Sequence, residues 1–268
     1  MDQTTTLTSR DRREAVERLS DFVAKSVDAA RTVEKPYFHL EFDRVFPEDV
    51  YAQILKLMPE AASYRPMHGR SKVDEGAPTR VKIDLFPEYI RSLSPEKRAL
   101  WEEIGRALCS EPVKQAFVRR LAPGLSRRFG ADFAEVGMYP IPILTRDIPG
   151  YRIPPHTDTH WKGVTVQLYL PKDDANVDLG TIFHEKLPDG SMPKRAQMRF
   201  APNTGYAFAV GDDTWHSADT VHDRVKTRDS ILLTYFVDQG LFRKLRNRAK
   251  RLGNFLLNEI RGAGPGRA

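Results

Sequence analysis

Two histidines and an aspartate carry the first chemical signal in this chain. His156 and Asp158 stand two apart in Tyr151-Arg-Ile-Pro-Pro-His-Thr-Asp158, a spacing that puts both side chains on one face of an extended strand. His216, in Gly211-Asp-Asp-Thr-Trp-His216, follows the apolar run Gly205 to Val210, and a turn-rich segment there can return an imidazole to the first pair. Two imidazoles and one carboxylate on one side of a metal leave three positions open, the arrangement suited to Fe(II) that must hold a co-substrate and O₂. By itself His-x-Asp is equally a strand edge with a solvated carboxylate. The residues downstream of His216 decide between the two. Arg228-Asp-Ser230 opens the apolar, aromatic run Ile231 to Phe236, which reads as a buried strand. A guanidinium at the mouth of such a strand needs an anion, and its planar fork matches a carboxylate through paired charge-assisted hydrogen bonds.

In this order, His156, Asp158, His216 and Arg228 with Ser230 resemble the Fe(II)/2-oxoglutarate-dependent dioxygenases, in the branch of prolyl 4-hydroxylase-like enzymes. The resemblance spans Gly137 to Gln239 and rests on the whole run: His-Thr-Asp, a strand from Val164 to Pro171, Gly180-Thr181, Gly211 to His216, then Arg-x-Ser and an aromatic strand. It implies that His156, Asp158 and His216 hold Fe(II). It further implies that Arg228 grips the far carboxylate of 2-oxoglutarate, with Ser230 and Tyr169 donating hydrogen bonds, and that O₂ completes the metal sphere while ascorbate stimulates turnover. The implied reaction couples decarboxylation of 2-oxoglutarate to succinate and CO₂ with hydroxylation of a C–H bond. Asp158 argues against halogenation, since related halogenases lack this carboxylate; desaturation, epoxidation and ring formation stay open. A cupin-like metalloenzyme that does not use 2-oxoglutarate, and a non-catalytic β-sandwich binding module, are the alternatives. Neither needs Arg-x-Ser.

Substrate contacts are expected from residues flanking the metal motif. Arg146 and Tyr151 lie on the strand and turn leading into His156, and His160, Trp161 and Lys162 lie just beyond Asp158. His184 follows Gly180-Thr181 as a pocket residue. Arg70, Lys72, Arg146, Arg152 and Lys162 suggest a cationic mouth, hence a small or conjugated anionic molecule, with a peptide or protein side chain as the alternative. His39, with no partner at metal spacing, reads as a satisfied or solvent-facing histidine.

The elements that must position these groups form one dioxygenase domain over residues 10–262. A helical part with the first strands occupies 10–130, a double-stranded β-helix (jelly roll) core occupies 131–240, and a basic amphipathic helix closes the chain at 241–262. Residues 1–9 and 263–268 read as disordered ends. Helical spacing runs from Arg10 to Arg31, from Pro47, from Ser94-Pro95-Glu96 and from Pro112. Strands are expected at 37–42, 80–85, 135–144, 151–154, 164–170, 181–185, 197–200, 204–210 and 230–238, and a long loop at 62–78. Net charge is +6 with a single cysteine, Cys109. One thiol makes no internal disulfide, which points to the cytoplasm. The excess of cations crowds 243–251, so no nucleic-acid partner is expected. Instead the terminal helix is expected to cover a sheet or a second copy in a homodimer, with a membrane surface or another partner as the alternative. No segment has the length and apolarity of a transmembrane span.

Overall fold

In the computed structural model, residues 9–67 and 78–238 are described. The expected terminal helix, the two chain ends up to Thr8 and from 263, and the cations Arg70 and Lys72 lie outside them. Helices α1 (Ser9–Ala29), α2 (Glu48–Lys56), α3 (Pro87–Ile90), α4 (Pro95–Leu108), α5 (Glu111–Arg120) and α6 (Ala122–Phe129) precede most of the sheet. Strands are β1 (Arg31–Val33), β2 (His39–Phe42), β3 (Arg65–Pro66), β4 (Arg80–Asp84), β5 (Met138–Asp147) and β6 (Ile153–His156). They continue with β7 (Lys162–Tyr169), β8 (Ile182–His184), β9 (Lys194–Gln197), β10 (Gly205–Ala209), β11 (His216–Ala218) and β12 (Arg228–Val237).

The strands form two antiparallel sheets. The larger runs β1-β2-β10-β7-β12-β5-β4-β3 and the smaller β6-β11-β8-β9. Connections that cross between them make this the double-stranded β-helix expected from the sequence. Strand alternation divides the larger sheet chemically. Ile231, Leu233 and Tyr235 of β12, Val164, Val166 and Leu168 of β7, and Ala207 and Ala209 of β10 join one buried cluster with the helices. The opposite face carries Tyr169, Tyr206 and Phe208 into a second cluster with Phe183, Met198 and Phe200, between the sheets. Helices form where one apolar stripe meets the outer cluster. In α1, Leu19, Val23 and Val27 are buried at intervals of four, and Arg10–Glu14 and Arg13–Glu17 pair on the exposed side. Trp101 of α4 is fully buried, and its indole N–H donates to the Leu57 carbonyl at 3.0 Å. Pro95 supplies a pre-set first turn for α4, while the Ser94 side chain makes no cap bond.

Three expectations shift. The segment 197–200 forms its strand earlier, at Lys194–Gln197. The segment around His216, expected as a turn, is the short strand β11, seated between β6 and β8. The expected loop at 62–78 begins with a 3₁₀ turn at Ala61–Ser63 and strand β3, which pairs with β4.

Candidate metal and co-substrate site

β6 and β11 bring the two imidazoles together. His216 is the register partner of His156, and their ring centroids lie 4.3 Å apart. The expected strand carries His156 as its last residue, so Asp158 sits beyond it rather than two along a continuing strand. The chain turns there and still delivers the carboxylate. One ligand atom from each of His156, Asp158 and His216 lies within 4.8 Å of the others. Backbone acceptors set both tautomers: Nδ1 of His156 donates to the Pro154 carbonyl and Nδ1 of His216 to that of Thr214, each at 3.0 Å. Nε2 therefore carries the lone pair in both rings. Burial lowers His216 to about 4, with neighbouring His156 adding to the shift and Asp158 opposing it, so its imidazole is neutral at pH 7.

Asp158 is held from both sides. Burial disfavours its charge, but Lys162 Nζ at 2.7 Å from Oδ1 and Thr165 Oγ1 at 2.6 Å from Oδ2 overcome this, with His216 adding to them, and its pKa falls well below the carboxylate range. This donor set, two imidazoles and one ionised carboxylate on one side of a common point, fits Fe(II) with positions left open.

A cavity of about 400 Å³ connects the triad to Arg228. Arg228 is 1% exposed, its Nε donates to the Leu179 carbonyl at 2.6 Å and its Nη1 to Asp147 Oδ2 at 2.8 Å. Nη2 is buried without a hydrogen-bond partner. A buried guanidinium N–H without an acceptor is costly, and here it belongs to a group bordering the cavity, so the residues fit a ligand carboxylate. Gln167, Thr181 and Tyr206 supply the polar wall. The Tyr206 hydroxyl lies 3.0 Å from both Gln167 Oε1 and Thr181 Oγ1.

Tyr169 and Ser230 stand behind this wall. The Thr181 amide donates to the Tyr169 hydroxyl at 2.8 Å, and the Tyr169 ring centre lies 5.8 Å from the Arg228 guanidinium carbon. Ser230 Oγ lies 2.9 Å from Thr145 Oγ1 and accepts from Gln167 Nε2 at 2.9 Å. Gly180 permits this: a Cβ there would come 1.6 Å from the Met198 carbonyl oxygen, so only glycine lets the Thr181 segment approach so closely.

The residues expected around the substrate separate into those at the cavity and those away from it. Tyr151, Trp161 and Lys162 border it. His160 borders a neighbouring cavity of about 510 Å³ that also reaches Asp158. Arg146 does not join them. Strand alternation turns it to the opposite face from Asp147, where its Nε donates to Asp229 at 2.6 Å and its guanidinium stacks on Tyr64. His184 is fully engaged by Met192 O at 3.1 Å and Ser217 Oγ at 2.8 Å, so it supports β11 rather than facing a ligand. Of the expected cationic mouth, Arg146 and Lys162 are each paired with a carboxylate, Arg152 is exposed, and Arg70 and Lys72 lie outside the described residues. His39 is buried, with Nδ1 on the Tyr37 carbonyl and Nε2 near Glu41. Residues that the sequence did not single out complete the site: Arg80, Asp147, Thr165, Gln167 and Tyr206. Their only signal was alternation along strands whose pairing partners lie far apart in the chain.

No family model and no curated protein matches the chain. Solved structures do. A prolyl-4-hydroxylase from Pseudomonas putida is 15% identical, with 80% of this chain and 98% of that one covered at a TM-score of 0.49. A prolyl hydroxylase from Trichoplax adhaerens, in complex with a hypoxia inducible factor peptide fragment, is 10% identical over 86% and 94% of the two chains at 0.47. An oxidoreductase of the 2OG-Fe(II) oxygenase family from Burkholderia pseudomallei is 16% identical over 74% and 85% at 0.43.

Proposed function

We propose that the protein is an Fe(II)- and 2-oxoglutarate-dependent oxygenase of the prolyl 4-hydroxylase-like branch that hydroxylates a C–H bond of a small or conjugated molecule. The carrying observation is the pairing, in one cavity, of the His156–Asp158–His216 set with the buried Nη2 of Arg228 that has no acceptor. A cupin-like enzyme without 2-oxoglutarate gives no reason for such a guanidinium. When bound, Fe(II) and 2-oxoglutarate supply O₂ activation with release of succinate and CO₂.

The chain's own residues then have separate tasks. His156, Asp158 and His216 hold the metal, with Lys162 and Thr165 keeping Asp158 ionised and oriented. Arg228 receives the distal carboxylate, while Tyr169 and Ser230 orient Thr181 and Gln167 beside it. Leu232, Phe236 and Trp161 form an apolar wall of the cavity, which receives the carbon skeleton to be oxidised and keeps bulk water from it. Ascorbate would serve as an external reductant that supports turnover. Among the described residues no helix is long and apolar enough to cross a membrane, and a single cysteine, which can form no internal disulfide, supports a reducing compartment such as the cytoplasm.

The test is succinate formation from protein supplied with Fe(II), ascorbate and 2-oxoglutarate under air. Slow succinate release is expected without substrate and faster release with the right metabolite. Metal-loaded protein that yields no succinate across a metabolite panel would overturn the assignment.

A further inference from the structure

Arg228 does not stand alone at the polar end of the cavity. In register, Asp147 of β5 faces Arg228 of β12 on one side and Arg80 of β4 on the other, so three side chains line up in a row across three strands. Arg80 donates through Nε to Asp147 Oδ1 at 2.5 Å and through Nη2 to Oδ2 at 2.8 Å. Arg228 Nη1 meets the same Oδ2 at 2.8 Å. Both guanidiniums border the cavity and converge on one oxygen of Asp147. Aromatic rings back each of them: Tyr151 lies 4.1 Å from the Arg80 guanidinium carbon, and Phe200 lies 5.6 Å from that of Arg228.

Charge is unbalanced in this row. Asp147 is 0% exposed and Arg228 1%, and arginine does not discharge in a protein. Two buried or nearly buried cations share one anion. The site therefore has a standing demand for a second carboxylate, and its bonds to Asp147 leave Arg80 Nη1 and Arg228 Nη2 to answer it.

We infer that Arg80 is a second residue binding the distal carboxylate of the co-substrate, and that Asp147 is a positioning residue holding Arg80 and Arg228 as one unit, so that the site selects 2-oxo dicarboxylic over 2-oxo monocarboxylic acids. This rests on the 2-oxoglutarate reading above. The pair extends recognition from β12 to β4, a strand that adjoins the short edge strand β3.

The experiment compares 2-oxoglutarate with 2-oxopentanoate, which offers the same 1-carboxylate and 2-oxo group to the metal but no distal carboxylate. Anaerobic Fe(II)-protein is titrated with each, and binding is read from the visible charge-transfer band that chelation produces. Wild type is expected to prefer the dicarboxylate. Arg80→Met should weaken 2-oxoglutarate by about 10-fold or more, the loss of a buried charge-assisted contact, and leave 2-oxopentanoate nearly unchanged. R80K, which restores charge without the fork, should regain part of the preference. Asp147→Asn should lose it further, since both guanidiniums are then released. An unchanged ratio in both Arg80 variants would overturn the inference while leaving the 2-oxoglutarate reading standing. A wild-type protein that binds neither acid, or both equally, would overturn the two together.

Discussion

Thr165 shows how much of the candidate site depends on side chains that orient its proposed metal donors. Its hydroxyl donates to Asp158 at 2.6 Å within a buried setting, so it fixes which lone pairs the carboxylate presents. Thr165→Val keeps the shape and the β-branch but removes the donor, and it is expected to lower Fe(II) affinity by about 10–100-fold, measured by metal titration, with the thermal midpoint little changed. At this scale the candidate site was legible because His156, Asp158, His216 and Arg228 occur in a distinctive order. Thr165 and Asp147 were not, because a threonine in a strand and an aspartate before a turn have ordinary local explanations. Only pairing across β4, β5, β7 and β12 reveals them. Arg146 failed in the opposite sense. Its position next to the motif suggested the pocket, but one residue of alternation separates it from Asp147 and sends it to Asp229.

The element that fastens the metal loop is α6. Arg128, near its end, donates to the carbonyls of His160, Lys162 and Val210, so one side chain joins the loop after Asp158 to the end of β10. Arg128→Met keeps the packing of the stem and removes the three bonds. Faster amide hydrogen exchange across Thr159 to Lys162 and weaker metal binding are expected, with exchange in β12 unaltered. The helical layer should respond differently. Leu233 is fully buried on the face of β12 turned to the helices, and Leu233→Ala is expected to cost about 2–5 kcal/mol in urea denaturation while the metal affinity of the folded fraction stays the same. The long strands β7 and β12 and helices α1 and α4 were legible because their periods persist over several residues. β11 was not. Its three residues are too few to show alternation, and the glycine- and aspartate-rich approach looks like a turn in isolation.

Over the whole molecule, two buried layers meet at one sheet, and the layer between the sheets is unusually rich in tyrosine. Burial pushes the phenols of Tyr37, Tyr169 and Tyr206 up, and on the helical side it does the same to Tyr51 and Tyr235. Tyr51, whose hydroxyl donates to the Pro171 carbonyl at 2.6 Å, is raised to about 12. A phenol whose folded value exceeds its unfolded one stabilises the fold fully below about pH 10 and loses that contribution as pH rises toward 12. The urea midpoint should therefore fall as pH climbs from 9 to 11. Tyr51→Phe should lessen that fall by about 1 kcal/mol, although it lowers stability at neutral pH by losing its bond. The sequence indicated both layers through helices preceding strands; the phenolic character of the inner one emerged only once alternation assigned each tyrosine a side.

β12 is hydrogen-bonded to β5 and β7 along nearly its full length, and its two faces serve different layers. A single-codon insertion or deletion between Arg228 and Phe236 would exchange those faces, sending the guanidinium among aliphatic side chains and leucines into the cavity. Chimeras of this chain should therefore be joined elsewhere. The solvent-facing turn around Gly190, already in a left-handed conformation at φ 84°, is a junction where added length meets no neighbouring atoms.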